Sequence, residues 1–161
     1  MIVADILIAD PAWEQALPEI AALVDQAARA TPGEGEAAIL LTDDLAVRAL
    51  NARFRGRDSA TNVLSFPAEA PAVAVPPEAM HLGDIALALG VCEAEAQAQG
   101  KPLADHVRHL VIHGLLHLLG YDHVDNAEAE AMEGLERDIL RRMDVPDPYG
   151  DAWQDRNLDP L

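Results

Sequence analysis

The segment HGLLHLLGYDH, residues 113–123, constrains this chain more than any other. His113 and His117 stand four apart within LVIHGLLHLL, a run that is apolar on nearly every side. Such a run reads as a central, buried helix, and residues i and i+4 of a helix project from one face. Gly120 follows, and a glycine readily takes the left-handed conformation that stops a helix and folds the chain back. His123 lies three residues past that stop and can return to the same point. A lone histidine on an apolar helix reads as a core residue. Three that share one geometry, with a helix stop between them, read as a metal site. Three neutral imidazoles suit one Zn²⁺ per chain and leave a fourth position open, where a metal activates water.

The spacing is similar to that of the metzincin peptidases, H-E-x-x-H-x-x-G-x-x-H. Those enzymes place their general base, a Glu, where this chain has Gly114. Without that proton acceptor, peptide hydrolysis is disfavoured although the metal-binding frame is intact. His106 and His109 precede the site on the same helix. His109, four before His113, reads either as a residue that holds a ligand or a water, or as an ordinary helix histidine.

The rest of the pattern predicts one domain. A length of 161 residues, half of them apolar and 24% charged, suits a single globular unit. No run is long enough and apolar enough to span a membrane, and the first ten residues lack the basic start of a signal peptide. A single cysteine, Cys92, cannot form an internal disulfide. Together these predict a cytoplasmic protein. Strands are expected over 2–8, 37–42, 61–66 and 82–89, with helices over 13–30, from Thr42 as N-cap to Gly56, and over 91–99, 103–119 and 126–143. The last helix buries Met132, Leu135, Ile139 and Met143 and is expected to expose its Glu residues. Residues 68–79, with three prolines, read as a loop or lid. The order predicts an α+β fold: a small mixed four-stranded sheet covered by about five helices, with the metal site on the central buried helix. Residues 1–143 form the metal-dependent hydrolase domain, and 144–161 an acidic, proline-containing C-terminal tail.

The net charge of −17 opposes broad coating of the surface by nucleic acid. Its distribution is uneven. Arg48, Arg53, Arg55 and Arg57 fall within ten positions that hold no acid. They form either a local basic patch or a solvated helix face. As a patch, Arg55 could stabilise charge developing on a phosphate, and Arg48, Arg53 and Arg57 could track an RNA backbone. Asp122 either orients an imidazole or caps the next helix, with capping favoured. Asp84 either points toward the site or sits in a strand-entry turn. Ser65 either offers a hydroxyl from its strand or is a plain strand residue, with the latter favoured.

Three stretches, FRGRDSATNVLSFP (54–67), LGDIAL (82–87) and HGLLHLLGYDH (113–123), in this order and spacing, resemble the YbeY family. The resemblance covers about residues 37–149. It implies a bacterial, single-strand-specific metallo-endoribonuclease acting in ribosomal RNA maturation, at the small-subunit 3′ end, and in ribosome quality control. Its partners would be single-stranded ribosomal RNA and ribosomal particles. It implies Zn²⁺ on His113, His117 and His123, and a functional Arg55 near the metal. The alternative reading is a metal-bearing ribosome-assembly docking factor with weak or no catalysis, to which the missing Glu base lends weight.

Overall fold

The structure is a computed structural model that describes residues 1–149; residues 150–161 lie outside that description. Strand β1 (Ile2–Ile8) runs parallel to β2 (Gly35–Thr42), and β2 runs parallel to β4 (His81–Ala88). Strand β3 (Val63–Pro67) pairs antiparallel with β4 and forms one edge, giving the order β1-β2-β4-β3. The fold is α+β with a mixed four-stranded sheet, as the sequence predicts.

Among the described residues, six α-helices pack with the sheet: α1 (Ala12–Ala16), α2 (Ile20–Ala30), α3 (Asp44–Arg55), α4 (Leu89–Ala98), α5 (Leu103–Leu118) and α6 (Asn126–Arg142). The single helix expected over 13–30 is two helices, because the chain breaks at Pro18. Leu17 is extended, with φ −137° and ψ 91°. A proline lacks the N–H that a helix interior needs and pushes its predecessor out of the α region. The N-cap of α3 is Asp43 and not Thr42: the Asp43 side chain accepts from the Ala46 N–H at 2.7 Å. Thr42 instead closes β2, and its carbonyl accepts the Trp13 indole N–H at 2.8 Å. Likewise Asp125, not Asp122, caps α6, accepting from the Glu128 N–H at 2.8 Å.

Helix α5 carries the core. Every residue from His109 to Leu118 is buried, and the helix lies with α2 over Ile39, Leu41, Ile85 and Leu87 on one sheet face. Helix α3 covers the other face, where Val47 packs with Leu64, Ala86 and Ala88. Helix α6 lies on α5 through Met132, Ile139 and Leu140. Past α6 the chain reverses at Asp144, the one non-glycine residue described with positive φ (59°). Val145 is then buried, its N–H bonded to the Leu140 carbonyl at 2.9 Å, and Tyr149 returns to α6. Residues 144–149 thus pack on the domain, and the remainder of the expected tail lies outside the described residues.

Candidate metal centre

Three local features bring the histidines together. The helical period puts His113 and His117 on one side of α5, with ring centroids 4.5 Å apart. Gly120 has φ +101°, and two bonds close the helix end around it: Gly120 N–H to the His117 carbonyl and Tyr121 N–H to the Leu116 carbonyl, both 3.0 Å. This pairing is the Schellman motif, and it folds the chain back as the sequence predicts. Asp122 then accepts from the His123 N–H at 2.7 Å, fixing the backbone where the third imidazole departs. The His123 ring lies 5.5 Å from that of His113 and 5.2 Å from that of His117. One nitrogen from each of the three lies within 4.8 Å of the others.

The tautomers follow from the neighbours. The Tyr121 carbonyl can only accept, so His117 donates to it from Nδ1, at 2.9 Å. His113 donates from Nδ1 to Oε1 of Glu136 at 2.7 Å. Each ring thereby turns Nε2 toward the other, and the two Nε2 atoms stand 3.0 Å apart. An imidazole that donates from Nδ1 carries its lone pair on Nε2 when neutral. Burial first, then the neighbouring His113, pushes His117 down to about 4, which keeps that ring neutral. Nε2 of His123 is buried and has no hydrogen-bond partner. Three convergent imidazole nitrogens fit a metal cation.

A fourth residue stands behind the ligands. Glu136 is 0% exposed, against the expectation that the last helix exposes its Glu residues. It accepts from His113 Nδ1, from His109 Nε2 at 2.8 Å, and from the Tyr149 hydroxyl. Burial alone would raise this carboxyl. The facing His109 and the hydrogen bonds from His109 and His113 outweigh it and hold the group well below the usual carboxylate range. A signal was present in the sequence: Glu136 sits four after Met132 and three before Ile139, inside the apolar stripe of α6. His109 is buried on this network, and His106 is engaged elsewhere, with Glu95 at 2.9 Å.

The arginines take different positions. Arg55, at the end of α3, donates from Nη2 to the Ser65 carbonyl on edge strand β3, and its guanidinium lies 5.3 Å from the Phe66 ring centroid. Ser65 is buried and pairs across the sheet with Ile85, which in turn touches Gly114 of α5. Arg48 makes a two-point pair with Asp58, at 2.8 and 3.1 Å, on the surface. Arg53 is exposed over the Phe54 ring, and Arg57 is exposed. Asp84 is 63% exposed and lies within 3.4 Å of His81. Because strand residues alternate, Asp84 faces away from α5 where Ile85 faces it, so it is not part of the histidine cluster.

The family model for Endoribonuclease YbeY matches residues 5–144. The chain belongs to the YbeY family. Among similar proteins named Endoribonuclease YbeY, that of Paracoccus denitrificans is 46% identical over 157 residues, spanning 90% of this chain and 88% of its own. That of Rhodopseudomonas palustris strain BisA53 is 51% identical over 146 residues, 88% and 83% of the two chains. That of strain BisB18 is 49% identical over 160 residues, 94% of each. The fold is shared with the solution structure of TM1509 from Thermotoga maritima, with a TM-score of 0.53 at 22% identity over 94% of this chain and 97% of that one.

YbeY membership places the chain among nucleases, which are hydrolases. All three histidines lie inside the matched YbeY segment, as do Arg55 and Glu136. Tyr149 lies beyond it, yet it bonds the same carboxylate. Gly114, which departs from the peptidase pattern, has a packing reason here: a Cβ on it would stand 3.0 Å from Cδ1 of Ile85. Among the described residues no helix is long and apolar enough to cross a membrane.

Proposed function

We propose that this chain is a zinc-dependent endoribonuclease that cuts single-stranded RNA, and that it acts on ribosomal RNA and ribosomal particles in small-subunit 3′-end maturation and ribosome quality control. The observation that carries the reading is the convergence of one imidazole nitrogen each from His113, His117 and His123 in a chain of the YbeY family. When bound, zinc supplies Lewis acidity that polarises a phosphoryl oxygen and acidifies water near neutral pH.

The chain's own residues do the rest. Arg55 is the catalytic arginine. The Ser65 carbonyl and the Phe66 ring hold its planar fork in one orientation, suited to a phosphate whose charge grows in the transition state. Arg53 and Arg57, both exposed, track the strand's phosphates, and Arg48 joins them by exchanging Asp58 for phosphate. Glu136 is not the proton acceptor for the attacking water. Its oxygens already accept from three donors, and it lies on the Nδ1 side of His113, away from the Nε2 atoms.

The test is cleavage of single-stranded RNA and of ribosomal particles by protein of verified zinc content, with and without Arg55. Zinc-dependent cleavage lost in Arg55→Ala supports the reading. Equal zinc-dependent rates in both proteins overturn the role of Arg55, and the lack of cleavage in either favours the docking-factor alternative.

A further inference from the structure

The structure assigns Glu136 a positioning role: from the neighbouring helix it holds His113 in the Nδ1–H tautomer, so that Nε2 of His113 is presented as a metal ligand. The inference deepens the metal reading above and rests on it.

The argument begins with the cost. A carboxylate removed from water is expensive unless it is fully paired, and replacing such a group by an apolar one is often neutral or stabilising. Glu136 sits in the apolar stripe of α6 between Met132 and Ile139, where a leucine would serve packing as well. It is nevertheless completely buried, and it accepts three hydrogen bonds.

The donors divide in a telling way. Oε1 takes the His113 Nδ1–H at 2.7 Å, whereas Oε2 takes His109 Nε2–H at 2.8 Å and the Tyr149 hydroxyl. His109 and Tyr149 therefore anchor one oxygen and leave the other aimed at the ligand. His117 obtains the same service from a backbone carbonyl, that of Tyr121. An imidazole whose Nδ1 is held as a donor has its lone pair on Nε2, and such outer partners orient a metal ligand and raise its basicity. Two ligands thus have their tautomer set by different means, one by the local chain reversal and one by a residue 23 positions away.

The experiment uses the full chain, with zinc ion alone as the probe. Zinc affinity is measured by competition with a chelating dye, and the His113 tautomer by long-range ¹H–¹⁵N correlation of the metal-free protein. Wild type is expected to show His113 as Nδ1–H. Glu136→Ala is expected to lose that preference and to bind zinc about 10–100-fold more weakly. A folded Glu136→Ala protein with wild-type affinity and an unchanged His113 tautomer overturns the assignment. Should that variant fail to fold, Glu136→Gln decides. Its amide oxygen still accepts from His113, but charge-assisted bonds are roughly twice as strong as neutral ones, so zinc should bind several-fold more weakly with the tautomer kept. Unchanged affinity in Glu136→Gln overturns the assignment. A wild-type chain that binds no zinc overturns the metal reading itself. In that event a metal-free Glu136→Ala protein with His113 still entirely Nδ1–H sinks the role of Glu136 separately, and a redistributed tautomer upholds it.

Discussion

His113 and His117 face each other through their Nε2 atoms at 3.0 Å, with both Nδ1 atoms already donating, to Glu136 and to the Tyr121 carbonyl. Two imidazole nitrogens so placed suit a shared metal cation. The third nitrogen, on His123, is buried and unbonded, which completes the set.

The first prediction is therefore metal content. Protein purified without added metal should carry close to one zinc per chain by elemental analysis. His117→Ala should abolish it, because two remaining imidazoles do not close a site. Full occupancy in that variant would refute the three-ligand set.

Acid should destabilise the metal-free protein in a defined window. His117 falls to about 4 in the folded chain, below its ordinary 6.5, so between those values the unfolded state binds more protons. The stability it contributes is present above pH 6.5 and is lost as pH falls toward 4. Glu136, also held low, adds a further loss that begins below its ordinary 4.5. Thermal melts in chelator from pH 7.5 to 4 should show a falling Tm. Saturating zinc, which binds only the folded state, should raise Tm most at the upper end of that range. A flat profile in chelator would remove the buried neutral histidine from the account.

Gly114 is a packing residue. Gly114→Ala should be neutral to mildly destabilising, by about 0–2 kcal/mol, since relief of the glycine penalty, about 1 kcal/mol, offsets only part of an overpacking cost of roughly 1–3 kcal/mol against Ile85. Gly114→Glu should destabilise clearly, because it drives a carboxylate into the α5–β4 contact. Neither variant should acquire zinc-dependent activity on casein, and turnover there would show that the missing base is all that separates this site from a peptidase.

Arg55→Ala should lower RNA cleavage by about 10²–10³ with zinc content unchanged, the usual size of a contact that strengthens in the transition state. Arg55→Lys should recover little, as an ammonium does not reproduce the fork. Single-turnover cleavage of a single-stranded RNA checks both.

Arg48 should behave differently because Asp58 already occupies it. Arg48→Ala should weaken RNA binding and flatten its salt slope by less than about one unit, the value for an uncommitted phosphate contact. Asp58→Asn should tighten binding. A binding isotherm across a salt series measures both, and tighter binding lost rather than gained in Asp58→Asn would place Arg48 outside the RNA path.

The histidine triad was legible in eleven consecutive residues because everything that builds it is local. The helical period aligns His113 with His117, and a single left-handed glycine returns His123, so short-range backbone geometry suffices. The strands of the mixed sheet were legible for the same reason, and the break at Pro18 was written in the chain even though the apolar period ran across it. Helix docking decided the rest. Glu136 and Tyr149 reach His109 and His113 only because α6 lies on α5 and the chain reverses after it. Strand register decided that Ile85 faces α5 and Asp84 does not, and surface geometry joined Arg48 to Asp58. A period shows which face of an element is buried. It carries no information about which residue of another element will meet that face, because that depends on the rotation and offset at which two separately formed surfaces pack.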